Sequence, residues 1–135
     1  MIELSNSTAQ TLAVGQAMTF DTVILKTGSG ECHRKNTGSV KLCAKGGIYQ
    51  AYFSGNISGA TADTPVQLNM SLGGDILPET IMIATPSVAD ALNNVATTVS
   101  IKNCCCDYDR ITVVNTGTTA VTVGANPTLF IKRIA

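Results

Sequence analysis

His33 is the only histidine in the chain, and it stands beside Cys32. A thiolate nucleophile with an imidazole base is a workable catalytic pair when the two side chains face each other. Neighbours on an extended strand point to opposite faces, so Cys32 and His33 do not meet locally. Cys104, Cys105 or Cys106 would reach His33 only through the fold. The five cysteines, Cys32, Cys43 and the run Cys104-Cys105-Cys106, show no CxxC spacing and there is no histidine pair, so the pattern does not make a zinc site. On a strand, Cys104 and Cys106 would share one face and Cys105 would take the other. A free cysteine behaves as a small apolar residue, and the expectation for all five is burial in the reduced state. A disulfide such as Cys32 to one of the triple would require an oxidising medium. Asp107-Tyr108-Asp109 places two carboxylates two residues apart, as calcium loops do, but the remaining oxygen ligands are missing from the sequence around it. A turn ahead of a strand at Ile111 is the simpler reading. No glycine-rich phosphate loop or paired-carboxylate signature is present. The residues therefore nominate no catalytic, cofactor-binding or metal site, and the chain reads as a protein that is not an enzyme.

Composition bounds the partners. Nine basic and nine acidic residues leave a formal net charge of zero. Phosphate-backbone binding draws on a basic surplus, so nucleic acid is not an expected partner. A local basic cluster, His33, Arg34 and Lys35 with Lys41 and Lys45, reads as a solvated loop and strand edge. No apolar stretch approaches the roughly 18 residues that cross a bilayer, so no membrane partner is expected. The start, Met1-Ile2-Glu3-Leu4-Ser5-Asn6, lacks the basic-then-apolar order of a secretory signal, which points to synthesis in a cytoplasm. Charged residues make up only 13% of 135, against a usual share of about a quarter. A surface so poor in charge is expected to be covered in part by further copies of the chain.

The elements that must carry these residues are strands. Val66, Leu68, Met70 and Leu72 alternate with Gln67, Asn69, Ser71 and Gly73, which puts the apolar set on one face. Gly73-Gly74-Asp75 supplies turn chemistry before Ile76 and Leu77, predicting a hairpin. Ile48 to Phe53, apolar or aromatic except at Gln50, follows Gly46-Gly47 and predicts a buried strand. Val40 and Leu42 share a face opposite Lys41, Cys43 and Lys45. Val95 to Ile101 predicts another strand. Ser87 to Asn94 is the best helix candidate, but Pro86 and the Asn pair make it a loop or a single turn. Ile111, Val113 and Val114, then Asn115-Thr116-Gly117-Thr118, then Val121 and Val123 predict a second hairpin. Leu129-Phe130-Ile131 forms the last strand. Roughly eight strands with turn signals about every ten residues predict an all-β sandwich or barrel in a single domain.

One stretch has a family likeness. Gly46-Gly47-Ile48-Tyr49-Gln50-Ala51-Tyr52-Phe53 resembles the central strand of tumour-necrosis-factor-like and complement-like jelly rolls. Pro65-Val66-Gln67-Leu68-Asn69-Met70-Ser71-Leu72-Gly73-Gly74 resembles the strand and hairpin that follow it. Val99-Ser100-Ile101, Arg110-Ile111-Thr112-Val113-Val114-Asn115 and Leu129-Phe130-Ile131-Lys132-Arg133 then come in the family's order. The resemblance runs from about Val40 to the end of the chain and implies an antiparallel jelly-roll β-sandwich. Within that superfamily the neutral, Thr/Asn/Gly/Val-rich domain is similar to small virion proteins of bacteriophages. This implies a homotrimer on a virion, a capsid-decoration or head-fibre protein made in the host cytoplasm and docked to other virion proteins such as the major capsid protein. The alternative it leaves open is a receptor- or carbohydrate-binding head that attaches to a host surface glycan, although the lack of tryptophan weighs against a sugar-stacking groove. The expected layout is an N-terminal docking segment, residues 1–18, ahead of a jelly-roll domain, residues 19–135.

Overall fold

A computed structural model describes residues 1–103 and 110–135. The expectations placed on Cys104, Cys105, Cys106, Asp107, Tyr108 and Asp109 lie outside the described residues. The rest is strand and loop, with one 3-10 turn at Pro78–Thr80 and no α-helix among the described residues. The strands are β1 (Ile2–Ser5), β2 (Gln10–Leu12), β3 (Thr22–Lys26), β4 (Glu31–His33), β5 (Val40–Leu42), β6 (Ile48–Ser58) and β7 (Val66–Leu72). There follow β8 (Asp75–Ile76), β9 (Met82–Ala84), β10 (Asn93–Lys102), β11 (Arg110–Asn115), β12 (Val121–Val123) and β13 (Thr128–Arg133). Every described pairing is antiparallel. The expected all-β, antiparallel class is therefore what forms, in more and shorter strands than the eight counted from turn signals. Ser87 to Asn94 makes no helix and leads as a loop into β10.

Two sheets pack face to face. The seven-stranded sheet runs β2-β12-β6-β13-β1-β3, with β10 on the free side of β6. The six-stranded sheet runs β4-β5-β11-β7-β8, with β9 also on β7. β6 is the spine of the larger sheet, and burial alternates along it from Ile48 to Ile57. Tyr49, Ala51, Phe53 and Ile57 point into the sandwich and are buried, while Ile48, Gln50, Tyr52 and Asn56 point out. In the smaller sheet, Val66, Leu68 and Met70 of β7 are buried on the inner face as expected, and Leu72 is half-buried against the same core. Asn69 and Ser71 on the opposite face are buried too, held by Thr116 and Thr112. Residues 72 to 75 close the hairpin to β8 in two residues, and both Gly73 (φ 59°) and Gly74 (φ 90°) take the left-handed conformation that such a tight turn requires.

Two sequence expectations need correction. The boundary expected after residue 18 does not appear in the fold, and there is no separate N-terminal segment. β1 is an inner strand between β13 and β3, with Ile2 and Leu4 fully buried. Leu12 and Met18 are core residues as well. The Met1 ammonium lies 2.6 Å from the buried carboxylate of Glu31, tying the larger sheet to the smaller one. A chain with four apolar side chains to bury gains more from the sandwich than from solvent, by about 1.5–3 kcal/mol for each large one.

The second correction concerns Ile111 to Val123, which is not a hairpin. β11 lies in the smaller sheet between β5 and β7, and β12 lies in the larger sheet between β2 and β6. Residues 116–120 cross from one layer to the other. Buried Asn115 holds that crossing: its Nδ2 donates to the Leu12 and Thr119 carbonyls, and its Oδ1 accepts from Gly117 N.

Candidate assembly face and side-chain sites

Among the described residues, the Cys-His pair considered for chemistry does not form. His33 and Cys32 leave β4 on opposite sides, as strand geometry requires. The His33 ring is half-buried, within hydrogen-bond range of the Ser39 carbonyl at 3.1 Å and the Phe20 carbonyl at 3.4 Å, and stands edge-on to Phe20. It ties β4 to the neighbouring loops, which is a structural task. Cys32 is exposed, and so is Cys43, so the expectation of burial fails for these two. Both sit on the solvent face of the small β4–β5 ribbon, which has only one core-facing side. Their sulfurs lie 2.9 Å apart. The Cys43 thiol is pushed above its ordinary pKa, first by its hydrogen bond with Cys32 and then by partial burial.

The basic cluster spreads apart. Cys32, His33, Arg34, Thr37, Ser39, Lys41 and Arg110 line an open recess of about 470 Å³, whereas Lys35 and Lys45 do not take part. Arg110 Nη1 donates to Ser39 Oγ at 3.4 Å. Arg110 was not singled out by sequence reasoning. Its arrival here follows from its pairing with Lys41 across β11 and β5, a contact between residues 69 apart.

The outer face of the larger sheet carries a different arrangement. Strand register aligns Leu25, Glu3, Phe130, Tyr52 and Thr98 in one row across β3, β1, β13, β6 and β10. Directly paired residues project to the same side, so this row is a single surface. Tyr52 is 41% exposed and pairs with half-buried Phe130 at its centre. Ile48 lies four residues away from Tyr52, two repeats of the pleat, on the same face. At the edge, all five residues of β3 are exposed, among them Val23, Ile24 and Leu25. Around the aromatic pair stand Gln50, Ser54, Ala96, Ser100 and Thr128, with two charged neighbours, Glu3 opposite Phe130 and Lys132 opposite Gln50. A paired aromatic at the centre and an uncovered apolar edge strand are features that monomers usually avoid.

No protein-family model matches the sequence, and no curated protein matches it either. Solved structures do match over nearly the whole chain. Murine APRIL aligns with a TM-score of 0.64 at 17% identity, covering 97% of this chain and 96% of that one. Eiger TNF from S. frugiperda aligns with a TM-score of 0.73 at 11% identity, covering 99% and 91%. The vertex protein of phage PRD1 aligns with a TM-score of 0.60 at 18% identity, covering 99% and 96%. The fold is therefore the tumour-necrosis-factor/complement-like jelly roll, the architecture that the resemblance implied.

Proposed function

We propose that the chain is a structural virion protein of a bacteriophage, a homotrimeric capsid-decoration or head-fibre protein that acts by burial and not by catalysis. The observation that carries this reading is the solvent-facing Tyr52–Phe130 pair at the centre of the outer face of the larger sheet. An aromatic pair left in solvent gains roughly 25 cal/mol for each Å² of apolar area that a neighbour covers. Closed threefold packing covers the same face on every copy and leaves no patch for open-ended growth. The superfamily resemblance supports three copies as the number, and the likeness to a phage vertex protein supports a virion as the place. On this reading the protein is made in the host cytoplasm and docks to other virion proteins such as the major capsid protein. Light scattering on the purified protein tests the assembly, and a particle of three times 14.0 kDa is expected. A monomer at micromolar concentration overturns it. Imaging of intact particles tests the location.

A receptor- or carbohydrate-binding head is the second reading. The recess lined by Arg34, Thr37, Ser39 and Arg110 favours it, because guanidinium and hydroxyl groups together suit an acidic sugar. A glycan array probed with wild type and Arg34→Ala separates the two readings: acidic-glycan binding lost in the variant supports the head, and no binding supports the decoration role.

A further inference from the structure

We propose that Cys32 and Cys43 are a disulfide-forming pair that staples β4 to β5 on the outside of the smaller sheet. The pairing differs from Cys32 with one of Cys104 to Cys106, which the sequence alone left open.

The backbone holds the two thiols in place from several directions. Cys32 is opposite Lys41 in the β4–β5 register, so Cys43, two residues on, is its diagonal neighbour on the same face. Cys43 N donates to the Gly30 carbonyl at 2.8 Å, which continues the ladder past the end of β5. The buried Tyr49 hydroxyl donates to that same Gly30 carbonyl at 2.8 Å and accepts from Ala44 N at 3.1 Å. Buried Asn103 donates from Nδ2 to the carbonyls on both sides of Cys43, Leu42 at 2.9 Å and Ala44 at 3.1 Å. The residues on both sides of Cys43, and Gly30 two residues before Cys32, are thus fixed by groups in the core. From a separation of 2.9 Å, the sulfurs need to close by only about 0.9 Å to reach bonding distance.

Both sulfurs are open to reagents. Cys32 lines the recess of about 470 Å³ beside Arg110, and Cys43 lines a second one of about 450 Å³ beside Met1 and Arg133. A small-molecule disulfide such as oxidised glutathione is the oxidant. One protein thiolate attacks a glutathione sulfur, forming a mixed disulfide and releasing a first glutathione thiol. The second protein thiol then attacks the protein sulfur of that mixed disulfide and releases the second glutathione. Two protein thiols are oxidised, one glutathione disulfide is reduced to two thiols, and the two protons leave with them. The proposal does not depend on the virion reading.

Tryptic mapping tests it, because lysine and arginine place the cysteines on three separate peptides: residues 27–34 carry Cys32, 42–45 carry Cys43, and 103–110 carry the triple. The folded, reduced protein is treated with oxidised glutathione, remaining thiols are trapped at low pH, and the digest is read by mass without reduction. The expected product is peptide 27–34 joined to 42–45, two hydrogens lighter than their sum. Cys32→Ser and Cys43→Ser, both at exposed positions, should each abolish that product while keeping the β-type circular dichroism of wild type. Either peptide joined to 103–110 in place of the other, glutathione retained on Cys32 or Cys43, or both thiols still free to be trapped overturns the proposal. So does the same exclusive linkage in urea-unfolded chain, which would mean that closeness in sequence selects the pair and the fold does not.

Discussion

Asn115 Nδ2 donates to the Leu12 carbonyl at 3.0 Å, a bond between residues 103 apart in the chain that joins the crossing of the two sheets to β2. The same amide donates to Thr119 and accepts from Gly117, so one buried side chain satisfies three backbone groups where the chain changes layers. Asn115→Ala removes all three of these hydrogen bonds from a buried site and should cost about 1–3 kcal/mol. Urea unfolding monitored by circular dichroism reads this directly, and a midpoint unchanged from wild type contradicts the role.

Leu68 is 0% exposed at the centre of β7. Leu68→Ala should cost about 2–5 kcal/mol through lost contacts and a residual cavity. Leu68→Asp buries an unpaired carboxylate and should prevent folding at neutral pH. Near-normal thermal stability of the Asp variant would mean that the register of β7 is wrong.

The outer face of the larger sheet predicts a variant that separates assembly from folding. Tyr52→Glu places a charge at the centre of the proposed interface without touching the core, because the ring points out of the sandwich. The expected outcome is a folded monomer by light scattering, with the wild-type circular dichroism spectrum. A trimer that survives the substitution moves the interface elsewhere.

Acid stability should carry the mark of Asp21. Ser7 Oγ donates to its Oδ2 at 2.5 Å, Thr22 Oγ1 to Oδ1 at 2.7 Å and Ser7 N to Oδ1 at 2.9 Å. These bonds, led by the Ser7 hydroxyl, hold the carboxyl below its usual pKa. A carboxylate with a depressed folded-state pKa contributes stability that is present above its unfolded value, about 3.9, and lost as pH falls through the folded one. The stability gap between wild type and Asp21→Asn should therefore be widest near neutrality and shrink in acid. A gap that stays constant through the acid range refutes the assignment.

His33→Ala tests whether the lone histidine does anything beyond tying β4 to its neighbouring loops. Loss of its contacts with Ser39 and Phe20 should lower stability by about 1 kcal/mol for each hydrogen bond lost. Any activity found for the protein should persist in the folded variant. A folded variant that specifically loses function restores a chemical role to this residue.

The alternation in Val66 to Leu72 and the apolar run from Ile48 identified two inner strands without any structure, because side-chain direction on a strand repeats every two residues and depends only on the local chain. The same local signals were enough for the all-β class, the Gly73-Gly74 turn and the absence of a helix at Ser87 to Asn94. Partner choice is not local. Ile111 to Val114 and Val121 to Val123 have the spacing of a hairpin, yet they separate into different sheets, β11 along β7 in a ladder of five pairs and β12 between β2 and β6. Residues 1–18 read as an arm because they lie ahead of the stretch that carries the family likeness. Their burial depends on β13, which arrives more than a hundred residues later. The row through Phe130 and Tyr52, the recess completed by Arg110 and the meeting of Cys32 with Cys43 are consequences of register between strands. Register is decided by the free energy of burying whole faces together, a sum over contacts that tertiary packing alone brings into being.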